Sequence, residues 1–170
     1  MNKSEEEIQN YYKSVALNWK IESRTLMLKY EKDEKAFEEI LHSVVGKGGG
    51  GVLRNISKDL FPKFSKYIFN NLSSIKDGNF DIFSVEKFPD KQPVSFVSKI
   101  CHILNPRSYP LIFDSRVKRA LGITGNNNIK EKWNNKIAEI KIKHSDKKSD
   151  KEIYELDFSY WLKGDPNITK

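Results

Sequence analysis

Apolar residues recur at intervals of three and four along most of this chain, and strict alternation of apolar and polar residues is nearly absent. The first spacing places apolar side chains on one face of an α-helix, whereas alternation is typical of a half-buried strand. One such stripe consists of Val94, Val97, Ile100, Cys101 and Leu104. The pattern predicts an all-α fold, a compact single-domain helical bundle over residues 1–170 with no internal repeat.

Capping residues and breakers indicate where individual helices begin and end. Ser4–Glu7 is typical of a capping box, and the first helix is predicted to run from there to about Lys20. A second helix is predicted from Ser23 towards Val44, with a break near Lys32-Asp33. Further helices are predicted over residues 52–72 (divided at Pro62), 93–104, 115–121, 130–143 and 151–163.

Five of the nine glycines crowd into Gly46–Gly51, where the entropy lost by ordered glycine predicts a flexible loop. A Walker loop would need Gly-Lys followed by Ser or Thr after a strand, so nucleotide hydrolysis is not indicated. The loop can touch a nucleic-acid backbone, with Lys47 and Arg54 as contacts. A plain flexible connection is the alternative that the sequence favours.

Several classes of protein are excluded by what the chain lacks. Cys101 is the only cysteine, so no internal disulfide can form, and its place on an apolar stripe indicates a buried thiol. No apolar run is long enough to span a bilayer or serve as a signal peptide, so a cytoplasmic protein without membrane contact is expected. The three histidines have no partners at ligand spacing, and therefore neither a metal site nor a cofactor is indicated.

The positive charge is concentrated in one segment. The chain has 30 basic and 23 acidic residues, a net charge of +7, and residues 116–151 alone hold 11 basic and 4 acidic ones. A local excess of this kind favours a polyanionic partner, with double-stranded DNA as the first candidate. A solvated helical face is the alternative reading of the same charge.

Residues 93–121 carry the most informative pattern. Ser95, Lys99 and His102 are spaced by four and three residues, which places them on the face opposite the apolar stripe. Asp114 stands at the predicted N-cap of a short basic helix. As alternatives to chemistry, Asp114 can serve only as a cap, Lys99 can be solvent-exposed, and His102 can pair with Asp114 or cap the polar side of a helix.

This segment resembles the helix-hairpin-helix DNA glycosylase superfamily. In that family a Pro-(hydrophobic)-Asp-(Thr or Ser)-x-Val-x-Arg stretch carries an essential Asp at a helix start, and a preceding helix bears a catalytic Lys in the bifunctional members. The matching positions are Lys99, Pro110, Asp114, Ser115, Val117 and Arg119. The segment is also similar to small uncharacterised bacterial proteins that share Ser-Lys-x-x-His and Pro-x-x-x-Asp-Ser-x-Val motifs.

The resemblance implies a DNA-glycosylase-like fold and cleavage of an N-glycosidic bond in a flipped nucleotide. Asp114 and Lys99 would be catalytic, with His102 and Ser95 in support. Nucleic-acid contacts would come from Arg116, Lys118, Arg119, Lys47 and Arg54, and the base-stacking aromatics would be Tyr109 and Phe113.

Two other functions stay open on the sequence alone. One is a non-catalytic module of the same fold that recognises DNA structure or a protein partner, for instance in host–phage defence. The other is a purely protein-binding regulator, which predicts no DNA affinity at physiological salt.

Overall fold

The computed structural model describes residues 5–48, 60–85, 93–147 and 149–166. Within these residues the chain is helical, with no strand, which confirms the predicted all-α class. No described helix combines the length and the hydropathy needed to cross a membrane. The helices are α1 (Glu5–Lys29), α2 (Glu34–Gly48), α3 (Phe61–Asn70), α4 (Leu72–Lys76), α5 (Val94–Leu104), α6 (Ser115–Ala120), α7 (Ile129–Lys143) and α8 (Asp150–Lys163).

The long helix α1 organises the packing, since it contacts α2, α5 and α8. Helix α3 packs on α2 and α4, α4 packs on α5, and α6 packs on α8. The fully buried core side chains include Phe37, Phe64, Ile68, Ile100 and Ile103. Their removal from water is the main stabilising contribution to such a fold.

Helix α5 is buried almost all round, which corrects the prediction of an apolar face opposite a polar one. Of its 11 residues, eight are buried, and His102 is completely so. Lys99 is partly buried, and only Ser95 of the predicted polar face is exposed. The reason is that α1 and α4 both pack against α5, so no side of it is left as a broad solvent face.

The boundaries of the first two helices also differ from prediction. Helix α1 continues past Lys20 to Lys29, because no Gly or Pro intervenes and the supposed start at Ser23 is a buried position inside the helix. The predicted break near Lys32-Asp33 is confirmed, since α2 begins at Glu34.

The glycine run is partly helical rather than wholly a loop. Helix α2 ends only at Gly48, so Gly46 and Gly48 lie in its last turn. A glycine in a helix interior costs about 1 kcal/mol, and the end of a helix is where the chain tolerates it best. The rest of the run and Arg54 lie outside the described residues.

The helix predicted over residues 52–72 is described only from residue 60. There α3 begins at Phe61 with Pro62 in its first turn, where the missing N–H breaks no helical hydrogen bond. A second break at Asn71, which the pattern did not indicate, separates α3 from α4.

The predicted boundaries in the last third of the chain agree with α6, α7 and α8 to within a residue. Asp114 is the N-cap of α6, with its Oδ1 accepting a hydrogen bond from the Val117 N–H at 2.8 Å. The stop after Leu104 is confirmed too, and Cys101 is a buried free thiol as expected.

Gly164, just after α8, lies directly against α6. A Cβ at this position would stand 1.8 Å from the carbonyl oxygen of Arg116. Its φ of −88° is accessible to any residue, so the obstacle is steric. Replacing Gly164 by alanine is expected to lower the free energy of unfolding by about 2 kcal/mol, because α6 and α8 must separate to admit the methyl group.

Urea unfolding measures this effect. The matched variant Lys163→Ala, at the exposed neighbouring position, should change stability by no more than about 0.5 kcal/mol. Equal stabilities for the two variants would contradict the close approach of α6 and α8.

Candidate active site

One hydrogen bond brings the predicted pair Lys99 and Asp114 together. The Ser98 hydroxyl on α5 accepts from the backbone N–H of Phe113 at 2.9 Å and donates to the Ser95 carbonyl at 2.8 Å. The residues that follow Ser98 and Phe113 are therefore close in space. In agreement with this, burial raises the pKa of Asp114 and lowers the pKa of Lys99, and the attraction between the two charges opposes both shifts.

Asp114 occupies a partly buried position at the start of α6. Burial raises the pKa of its carboxyl group, and the hydrogen bond from the Val117 N–H and the charge of Lys99 offset this only in part. Asp114 therefore caps α6, as the sequence suggested. In the same position its carboxyl group also has a raised pKa.

Lys99 is partly buried, which excludes the alternative that it is simply a solvent-exposed lysine. Burial lowers the pKa of its amine, and the nearby charge of Lys20 lowers it further, while Asp114 and Asp157 act in the opposite direction. The Lys99 Nζ lies 5.9 Å from the centre of the Trp19 ring, close enough for a cation–π contact when the amine is charged.

A buried polar trio beside Lys99 consists of Lys20, His102 and Asp157. The Lys20 Nζ lies 2.7 Å from Asp157 Oδ2 and 3.1 Å from His102 Nε2. These contacts join α1, α5 and α8 at one point in the core. A buried charge of this kind is stable only when it is paired and hydrogen-bonded.

The hydrogen bonds of the trio determine the tautomer of His102. Because an ammonium group only donates, Nε2 must accept from Lys20, and Nδ1 therefore carries the proton that it donates to the Tyr109 carbonyl at 2.7 Å. Burial and the charge of Lys20 lower the pKa of His102 to about 4. His102 is thus neutral at pH 7. Its ring nitrogens contact Lys20 and the Tyr109 carbonyl, so the predicted alternative in which His102 pairs with Asp114 is wrong.

Asp157 connects the trio to the segment that precedes Asp114. Its Oδ1 accepts from the backbone N–H of Ile112 at 2.8 Å. Burial alone would raise the pKa of Asp157, but Lys20, His102 and the Ile112 N–H together lower it. The carboxylate therefore stays ionised and fixes the Ile112 backbone two residues before Asp114.

Sequence reasoning assigned no role in the site to Lys20 or Asp157. Asp157 follows Ile153 at helical spacing on a face of α8 that is otherwise buried, and Lys20 shares a face of α1 with buried Met27. In each helix, a single charged residue within a stripe of buried residues was the sequence signal that could have indicated a buried ion pair.

The residues predicted to contact nucleic acid differ in their surroundings. Arg116 is bound to α8, with its guanidinium 2.9 Å from Asp165 and 3.9 Å from the Trp161 ring centre. Lys118 lies over the Phe113 ring at 4.6 Å, and Arg119 is exposed. The side chain of Lys47 lies outside the described part of the chain.

Both predicted stacking aromatics are engaged in protein contacts. The Tyr109 hydroxyl donates to the Phe80 carbonyl and accepts from its N–H, at 3.0 and 2.9 Å. The Phe113 ring packs edge to face against Phe83 and Trp133, with centroids 5.1 and 5.0 Å away. Either ring would have to leave these contacts before it could stack on a base.

Among the described residues, no three His, Cys, Asp or Glu side chains are grouped so that they could hold a metal ion. The chain matches no protein-family model, no curated protein and no solved structure.

Proposed function

We propose that this chain binds double-stranded DNA and cleaves the N-glycosidic bond of a nucleotide turned out of the duplex. One observation carries the proposal: a hydrogen bond joins α5 to the start of α6, so that partly buried Lys99 and the partly buried Asp114 carboxylate act on each other's charge, and the pKa of the amine is lowered. Perturbed pKa values of this kind concentrate at functional sites. The motif around Asp114 that resembles DNA glycosylases supports the same assignment.

The proposed chemistry uses the Lys99 amine as a nucleophile. A neutral amine attacks C1′ of the sugar with its lone pair, the glycosidic C–N bond breaks, and its electron pair leaves with the base. The proton released from the new ammonium group goes through solvent to the departing base. Opening of the sugar ring then gives an imine, with the amine nitrogen bonded to C1′.

Asp114 serves in this reaction as an electrostatic partner. Positive charge develops on the sugar as the base leaves, and an ionised carboxylate nearby stabilises it. The hydrogen bond from Val117 fixes one oxygen of this carboxylate at the head of α6, so its position does not depend on substrate.

The buried trio supports the nucleophile without touching the substrate. The ammonium of Lys20 disfavours a second positive charge on Lys99, which keeps a larger fraction of that amine neutral. Asp157 holds Lys20 in place through the 2.7 Å ion pair.

Exposed basic residues of α6 and α7 provide a surface for the phosphate backbone. Arg119 and Lys132 are exposed, and neither of them forms an ion pair within the described residues. Such side chains can release counterions from DNA, and this binding should weaken as salt increases. The same surface favours the second candidate function, a DNA-binding module without catalysis.

The deciding experiment measures base release and borohydride trapping on duplexes carrying an abasic site or one of a panel of damaged bases. Wild type should form a trapped covalent adduct, because borohydride reduces the imine to a stable amine. Lys99→Met should form none, and Asp114→Asn should slow base release by about a hundredfold or more. Asparagine still caps a helix, so the second variant tests charge rather than folding.

Lys29→Met is the matched control, because it removes an exposed lysine from α1. Binding of every variant is followed by fluorescence anisotropy at low and near-physiological salt. Salt-sensitive DNA binding without base release by wild type would favour the non-catalytic module. Absence of DNA binding would exclude both functions.

A further inference from the structure

A cleft of about 410 Å³ lies between α7, the turn after α4 and the linker that follows α5. Neither Lys99 nor Asp114 lines it, although Ser98 forms part of its inner wall. The volume falls in the range of small-molecule sites, which is roughly 300 to 1,000 Å³.

The shape of this cleft is fixed by contacts of its own walls. The two hydrogen bonds between the Tyr109 hydroxyl and the Phe80 backbone join the linker to the turn. Gly78 in that turn has a φ of +78°, and a Cβ there would stand 2.2 Å from the Ser108 Oγ. The turn and the linker therefore meet closely, as expected for a site formed before its ligand arrives.

The lining combines an apolar floor with polar groups. Buried Leu111 and Trp133 contribute to the floor. Asn79 and Asn134 are exposed at the edge, where their amide groups can both donate and accept hydrogen bonds. Amides of this kind suit the edge of a planar heterocycle, which also presents donors and acceptors.

Among the residues that the structure describes, one cation of the lining has no anionic partner. Lys130 is paired with Asp81 at 2.5 Å, but Lys141 takes part in no ion pair among the described residues. Lys141 is exposed at the edge of the cleft, and partial burial of its amine lowers the pKa of this group. A bound anion would provide the partner that the protein does not supply, and phosphate is the anion that lysine binds most often in such sites.

We propose that this cleft binds a phosphate ester of nucleotide size, with Lys141 at the phosphate and Asn134 at the edge of the base. This proposal requires neither Lys99 nor Asp114, and so it stands apart from glycosidic cleavage. The phosphate ester can come from a free nucleotide or from the end of a nucleic-acid strand.

Isothermal titration with each of the four nucleoside 5′-monophosphates tests the proposal, with inorganic phosphate and the unphosphorylated nucleosides as comparison probes. At least one monophosphate should bind, and Lys141→Met should weaken that binding about tenfold. Ala138→Trp, which fills the cleft from an exposed position on α7, should abolish it. Lys143→Met removes the same charge from the same helix outside the lining and should leave binding within about twofold.

Each outcome decides the matter. No binding at about 10 mM nucleotide, equal losses in Lys141→Met and Lys143→Met, or equally tight binding of inorganic phosphate would overturn the proposal. A 5′-phosphorylated trinucleotide that binds as well as the monophosphate would identify a strand end as the source, and its exclusion would identify a free nucleotide. Lys99→Met should bind nucleotide like wild type, which separates this site from the catalytic one.

Discussion

Asp157→Ala is expected to lower the free energy of unfolding by about 3 to 5 kcal/mol. The substitution leaves the ammonium of Lys20 buried without its 2.7 Å partner, and it also removes the acceptor of the Ile112 N–H. A buried charge that loses a close counter-charge costs more than the pair itself contributed, because its desolvation is no longer offset. Chemical denaturation at pH 7 measures the effect.

Glu155→Ala is the matched control on the same helix. Glu155 pairs with Lys13 at 3.6 Å, and both side chains are partly exposed to solvent, so its loss should cost no more than about 1 kcal/mol. The double variant Lys20→Met with Asp157→Leu should regain part of the stability lost in Asp157→Ala, because it removes the unpaired buried charge but does not restore the acceptor of the Ile112 N–H. A loss below about 1 kcal/mol in Asp157→Ala would mean that water reaches Lys20.

Features fixed by neighbouring residues were predictable from the sequence. Asp114 caps α6 because its carboxylate needs only the N–H three residues later, and the helix stop after Leu104 follows from the adjacent Asn-Pro. Lys99 and Asp114 were placed in one site only by a family resemblance. The hydrogen bond that joins their two segments spans 15 residues.

Features fixed by distant residues were not predictable in the same way. Lys20 and Asp157 are 137 residues apart, and no local rule pairs them. His102 was placed on a polar face because spacing reports only the helix itself, whereas its burial depends on contacts with Lys20 of α1 and Tyr154 of α8. In α1 the apolar spacing made the opposite error: it included Tyr11 and Tyr12 in the buried stripe, but both side chains are exposed.

Acid is expected to destabilise the protein through His102 by about 3 kcal/mol between pH 7 and pH 4. In the folded chain the pKa of His102 is lowered to about 4, whereas in the unfolded chain it is near 6.5. Between these values the unfolded chain binds the additional proton, so stability falls as the pH falls. Below about pH 4 both forms are protonated and His102 contributes no further loss.

His102→Gln isolates this contribution, since glutamine does not titrate and can still accept from Lys20. Because the variant is already less stable at pH 7, the quantity to compare is the loss in free energy of unfolding between pH 7 and pH 4. This loss should be about 3 kcal/mol smaller in the variant than in wild type. His42→Gln, at an exposed position on α2, should leave that change as it is in wild type.

The acid response of His102 is distinct from that of Asp157. The lowered pKa of Asp157 stabilises the fold above the ordinary carboxyl pKa of about 4, and that contribution is lost only at lower pH. A stability curve that falls first between pH 6.5 and 4 and again below pH 4 would identify both groups. If His102→Gln and wild type lose the same stability between pH 7 and pH 4, then His102 has the same pKa in the folded and unfolded chains, and neither burial nor Lys20 disfavours its protonation.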